Sequence, residues 1–306
     1  MNLTLIGMRI ILSLGRRKAR KKAPWIGKQY FVKREGLPKV ETFLYEPKRK
    51  SPGPLPVLFN IHGGAWVGGD ATALDTQSQQ LADTFSCFVV NINYKKVDVK
   101  AFPYPQEEVR DVVLHFAARA DKFGLDKTRF AIIGYSAGGH LAASAAYLLK
   151  DSVVKLSVHI PVYPFLDFRA FEPESGFLDT QDENYERNMK ILNAVYFRGK
   201  IAKSDPVLSP NAATTEQLQR LSPAEIVLCG PDSLYQQGLD YEKLLKCAGI
   251  PCCLKEFTQA KHGFMESNYP EVSYEPDDEQ RKLREECIAY IKERLAYHWR
   301  QVGEQI

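Results

Sequence analysis

Cysteine is present but without pattern. The six cysteines, Cys87, Cys229, Cys247, Cys252, Cys253 and Cys287, make no C-x-x-C pair and no spacing that suits a zinc site. That sets aside a metal-stapled module, and they read as small hydrophobes in a reducing, cytoplasmic setting. Long hydrophobic runs are missing too. The apolar start from Leu3 to Leu14 is interrupted by Arg9, is too short to span a bilayer, and carries no small-residue cleavage site before its basic run. Internal repeats and low-complexity segments are absent. Neither sign of charge dominates: the net charge is +4, and the six positive charges of Arg16 to Lys22 leave −2 for the rest. No basic surface spread over the fold is expected, and with it no nucleic-acid partner.

What the chain does have is material for one large core. Its 306 residues are 44% hydrophobic and 25% charged, the balance of a globular enzyme. Two strand candidates, Gln29 to Arg34 and Val40 to Tyr45, come first, parted by the turn-forming Gly36-Leu37-Pro38. Apolar strands follow at Val57 to Ile61, Phe88 to Asn93, Phe130 to Ile133, Leu156 to Ile160, Ala224 to Cys229 and Pro251 to Phe257. Between them lie helical repeats over Thr72 to Phe85 and from Pro105 to Ala120, where Val109, Val112, Val113 and Phe116 recur at three and four. A closing helix spans about Asp277 to Arg300. Strands too apolar to face water, alternating with helices, mean a mostly parallel sheet covered on both sides.

The chemistry gathers at the ends of those strands. Phe130 to His140 reads FAIIGYSAGGH: a buried strand, a Gly-bracketed turn and a small-residue helix, which lifts the Ser136 hydroxyl clear of the sheet. A serine hydroxyl needs a base to take its proton and a carboxylate to orient that base. Five of the six histidines have other places: His62 in the turn after the third strand, His115 and His140 on helices, His159 inside a strand, His298 near the end. His262 alone follows a strand in a short loop with a glycine after it, and Asp232 alone among nearby acids directly follows a strand. Ser136, Asp232 and His262 thus lie in the chain order of a strand-to-helix elbow. The turn His62-Gly63-Gly64-Ala65-Trp66 can point backbone N–H groups of Gly63 and Gly64, with that of Ala137, at an oxyanion.

Between Tyr163 and Phe197 the strand and helix rhythm breaks. Aromatics crowd there with acidic residues, and a helix is expected from Asn184 to Tyr196. The stretch reads as a lid over the carboxyl edge, with Tyr163 and Phe165, together with Trp66 and Tyr135, as candidate substrate-binding side chains. The basic run reads as a solvated face; membrane contact through it is a secondary reading.

Taken in order, HGGAW, GYSAGG, PDSL followed by Gly238, and HGF resemble the α/β-hydrolase fold and within it the hormone-sensitive-lipase-like esterases, over the chain from about Gln29 onward. The resemblance implies one α/β-hydrolase domain over 1–306, with a cap formed by about 1–28 and 163–210. It also implies a small-molecule ester with a short or medium acyl chain as substrate, and neither metal nor cofactor. Two positions depart from the family pattern: Tyr135 stands where an acidic residue is usual, and Ala65 where a third glycine is. GYSAGGHL is also similar to carbohydrate-ester and arylformamide hydrolases of this fold, so an amidase, a formamidase or a carbohydrate-ester deacylase is the alternative. A ligand sensor on a silent hydrolase scaffold is a further one, disfavoured by the presence of His262.

Overall fold

The computed structural model describes residues 3–49, 52–171, 195–196, 202–267, 269 and 277–303. Eight strands form one sheet: β1 (Lys28–Arg34), β2 (Leu37–Tyr45), β3 (Leu55–Ile61), β4 (Phe88–Asn93), β5 (Leu125–Tyr135), β6 (Val158–Val162), β7 (Ala224–Cys229) and β8 (Cys252–Phe257). Their order is β1-β2-β4-β3-β5-β6-β7-β8. β1 pairs with β2, and β2 with β4, in antiparallel fashion; every later pairing is parallel. The α/β architecture with a mostly parallel sheet is as the sequence pattern implies.

Side chains of period two divide the core between the two faces of the sheet. Phe59, Phe130, Ile132, Ile226 and Leu228 point one way, onto helices α3 (Tyr104–Ala117), α5 (Ala137–Leu149) and α6 (Tyr235–Cys247). Leu58, Ala131, Ile133, Val227 and Cys229 point the other way, onto α2 (Asp75–Phe85) and the C-terminal α7 (Asp278–Gly303). Register then sets the site. Ile61 lies beside Gly134, and Gly134 beside Pro161, so β3, β5 and β6 end level. Cys229 beside Phe257 does the same for β7 and β8.

Several boundaries differ from expectation. β5 begins at Leu125 rather than Phe130, because Leu125 already pairs with Leu55 on β3 ahead of an irregularity in the register that resumes at Phe130. β6 runs two residues further on than Leu156 to Ile160. The helix expected from Thr72 is a 3-10 turn, Ala71–Leu74, capped by the Asp70 carboxylate, and only then α2. Ala120 opens a separate short helix, α4 (Ala120–Phe123). Nearly all of the helix expected over Asn184 to Tyr196 lies outside the described residues; Val195 and Tyr196 are buried.

The basic N-terminal run is a correction. It is not simply a solvated face: helix α1 (Leu3–Ala19) and the residues after it are tied to the sheet. Arg16 makes a two-point pair with Asp98 and donates to the Val67 carbonyl. Arg20 pairs with Glu41 and Asp70. Among the described residues no helix is long and apolar enough to cross a membrane.

Helix α7 is anchored through one acid. Glu225 on β7, 1% exposed, accepts from Tyr290, Arg294 and His298. Burial raises its pKa, but those hydrogen bonds outweigh burial and hold it below the usual carboxylate range. Glu225→Ala is expected to cost about 3 kcal/mol, because it strips three partners of one buried acceptor. The check is a lower denaturant midpoint at unchanged slope. Since the folded value is depressed, this contribution is full above the ordinary carboxyl range near 4.3 and fades as pH falls through the lower folded value.

Candidate active site

Strand β5 runs into a turn in which Ser136 adopts φ 54°, ψ −117°, a conformation that L-residues rarely take. The chain folds so closely here that side chains are excluded on both sides. A β-carbon at Gly134 would strike the Gly138 carbonyl, and one at Gly138 would strike the Ile61 carbonyl and lie 2.6 Å from that of His62. The Ser136 N–H donates to the Val162 carbonyl at 2.9 Å, which fixes the turn to the end of β6. Helix α5 starts at the next residue, so its N-terminal N–H groups face the same space.

Ser136, Asp232 and His262 come together. Ser136 Oγ lies 2.9 Å from His262 Nε2, and His262 Nδ1 lies 2.7 Å from Asp232 Oδ2. With Nδ1–H donating to the carboxylate, Nε2 is left as the acceptor for the serine hydroxyl. Asp232 also accepts the Leu234 N–H at 2.9 Å through its other oxygen. Its side chain is 4% exposed, whereas that of His262 is 41% exposed, so the acid is sheltered and the base is reachable. The other five histidines are committed elsewhere: His62 to Lys96, His115 to Tyr30, His140 to Trp66, His159 to Tyr241 and His298 to Glu225.

The turn after β3 is braced from below. His62 Nδ1 donates to the Gly63 carbonyl at 2.6 Å, and its Nε2 accepts from Lys96 Nζ at 2.9 Å. Lys96 also donates to the Tyr94 carbonyl and lies 3.9 Å from the Tyr94 ring centre. Burial lowers the Lys96 ammonium to about 7. Burial and the neighbouring Lys96 hold the His62 imidazole well below its usual range. Of the three expected oxyanion donors, the N–H groups of Gly64 and Ala137 meet no acceptor among the described residues, but that of Gly63 donates to Glu266 Oε1 at 2.8 Å.

The four aromatics expected to bind substrate are placed differently. Trp66, Tyr135, Tyr163 and Phe165 are all buried. None lines the cavity of about 1150 Å³ that opens on Ser136 and His262. Trp66 points inward because its indole N–H finds His140 Nδ1 at 3.0 Å and its ring packs on Phe165, Phe168 and Tyr196. Tyr163 comes nearest to the site, its ring centre 4.9 Å from that of His262. Lys18 and Lys21 from the N-terminal segment and Glu266 line the cavity. Glu266 and Lys96 were not foreseen. The only trace of Glu266 in the sequence is an acid four residues past His262, in HGFMES.

A family model described as alpha/beta hydrolase fold matches residues 58–266. The chain is 28% identical over 228 residues to the arylesterase of Saccharolobus solfataricus, covering 73% of this chain and 72% of that one. It is 30% identical over 220 residues to the carboxylic ester hydrolase LipN of Mycobacterium tuberculosis, covering 70% of this chain and 58% of LipN. Among solved structures, the hyperthermophilic esterase of Pyrobaculum calidifontis aligns with a TM-score of 0.71 at 23% identity, over 95% of this chain and 91% of that one, which shows a shared fold.

Gly138→Ala tests how tightly the turn is built. The added methyl group has to push the end of β3 away from α5, and a misplacement of about 1 Å at a reacting group costs on the order of 10²-fold in rate. The expected outcome is a folded protein, by circular dichroism, whose Ser136 is labelled by an organophosphonate about 10²-fold more slowly than in wild type.

Proposed function

The chain belongs to the α/β-hydrolase family, in its hormone-sensitive-lipase-like esterase branch, and from that premise we propose that it hydrolyses carboxylic esters of short to medium acyl chain through an acyl-enzyme intermediate on Ser136. The observation that carries this reading is the unbroken run of hydrogen bonds from Ser136 Oγ through His262 to Asp232 at the mouth of an open cavity.

In this reading Ser136 Oγ attacks the ester carbonyl carbon while His262 Nε2 takes its proton. Asp232 holds the imidazole in the required tautomer and balances the imidazolium that forms. The negative charge that develops on the carbonyl oxygen is met by the N–H groups of Gly64 and Ala137, which are fixed in place before the reaction. Collapse of the tetrahedral intermediate expels the alcohol, which leaves with the proton from His262. Water then repeats the sequence against the acyl-enzyme and releases the carboxylic acid. We read the N-terminal segment through about residue 28 as part of the cap that bounds the acyl site; of the stretch 163–210 expected to complete it, 172–194 and 197–201 lie outside the described residues. The contribution of the N-terminal segment to the cavity wall through Lys18 and Lys21 supports that reading.

Hydrolysis of a p-nitrophenyl ester series, acetate through dodecanoate, tests the proposal. Wild type is expected to turn over the shorter members best, Ser136→Ala to lose turnover, and Asp232→Asn to retain geometry but lose about 10⁴-fold in kcat. Equal rates in Ser136→Ala, or cleavage of a matched anilide faster than the ester, would overturn the ester reading.

A further inference from the structure

Helix α1 is attached by its charges. A surface helix ordinarily turns its apolar stripe to the core and its charged side chains to water. Here the side chains that reach the body of the protein are basic. Arg16 pairs with Asp98, and Arg20, whose N–H bonds the Arg16 carbonyl at 2.9 Å, pairs with Glu41 and Asp70. Helical spacing then turns Ile10, Ile11 and Leu14 outward together, and they are 55%, 70% and 51% exposed. Aliphatic side chains exposed singly need no cause, but several on one helix face form a patch, and such a patch marks a contact surface. Phe31, 48% exposed, adds to it, since it lines a surface groove with Ser13 and Arg17 of α1.

The charge around the patch selects its occupant. Arg9, Arg17, Lys18 and Lys22 are exposed and Lys21 is half-buried, and among the described residues none of the five forms an ion pair. A second copy of the chain would set the same cations against these, so like charge opposes self-association through this face. An anionic lipid surface attracts all five, while the aliphatic side chains enter the boundary between headgroups and acyl chains. We propose that the outward face of α1, formed by Ile10, Ile11 and Leu14 with the cations from Arg9 to Lys22, docks the protein on an anionic bilayer without crossing it. The two attractions act together: a few aliphatic side chains bind lipid weakly, and exposed cations alone release it in salt. Lys18 and Lys21 also line the cavity that opens on Ser136, so docking holds that cavity beside the lipid. Docking of this kind is independent of the chemistry at Ser136.

The test is flotation of the purified full-length chain with vesicles of phosphatidylcholine alone and of phosphatidylcholine mixed with phosphatidylglycerol. It is run at about 0.1 M and about 1 M salt, between which the screening length falls from about 10 Å to about 3 Å. Two triple variants, their folding checked by circular dichroism, accompany wild type. Ile10→Gln with Ile11→Gln and Leu14→Gln removes the apolar face; Arg9→Gln with Arg17→Gln and Lys22→Gln removes charge and leaves Lys18 and Lys21 in place. Wild type is expected to float with the anionic vesicles but not the neutral ones, and to be released at the higher salt. Each cation near such a surface contributes about fivefold, so the charge variant should bind the anionic vesicles about 10²-fold more weakly. The apolar variant should bind them about 10-fold more weakly or worse. Wild type that floats with neither vesicle overturns the docking, and that arm needs no variant to fold. Binding by either variant equal to that of wild type also overturns it, because the contact then lies elsewhere. If light scattering finds wild type dimeric and the apolar variant monomeric, the face belongs to a second copy and the lipid docking fails.

Discussion

At the carboxyl edge of the sheet three backbone segments meet with no room for a side chain between them. The carbonyls of Ile61 and His62 press on the first turn of α5 at Gly138, and that turn presses back on Gly134. This contact forces Ser136 into its positive φ and sets it and the turn after β3 at a fixed separation. Parallel pairing does the rest, because strands that end level bring their following loops into one row. Asp232 and His262 belong to that row through the pairing of β7 with β8. The sheet register and the three glycine-size contacts are therefore one constraint seen at two scales.

The turn that follows β3 is held by polar groups rather than by packing alone. Lys96, His62 and the Tyr94 carbonyl form a chain of hydrogen bonds beneath it. On its far side Arg16 bonds the Val67 carbonyl, and Arg20 reaches Asp70, which caps the next turn. Partly exposed ion pairs such as these add little stability, about 0–1 kcal/mol each. Their value lies in geometry: they join the N-terminal segment to the loop that follows β3.

The parts of the site carried by local pattern were legible in the sequence. Ser136 sits in a strand, turn and helix whose periodicities change abruptly, and Asp232 and His262 each follow an apolar run. What escaped reading is held by contacts between distant residues. Glu266 meets Gly63 across a sequence separation of 203, from a loop without periodicity. Lys96 gave no sign of burial, since a lysine after a strand is ordinarily solvated. The aromatics failed for the opposite reason: Trp66 and Phe165 look like pocket walls by composition, and only the position of His140 and the neighbouring rings shows that they face the core. The polar start of β5 hid the strand's true beginning, because Leu125 pairs with Leu55 across an irregular register that no alternation of side chains marks.

Lys96 and Glu266 share a physical cause despite opposite charge. Lys96 is buried and Glu266 half-buried beside the turn after β3, and desolvation disfavours the charged form of both, which brings the ammonium down and the carboxyl up to about 7. Near neutral pH neither is a full fixed charge. The peptide dipoles of the turn between them, from His62 to Gly64, are held in place by the hydrogen bonds of His62, Lys96 and Glu266. Dipoles that are already oriented do not have to reorganise when a negative oxygen forms, which a mobile charge would. On the acid side Lys96 gains charge; on the alkaline side Glu266 does. The charge on both flanks of the turn therefore changes with protonation.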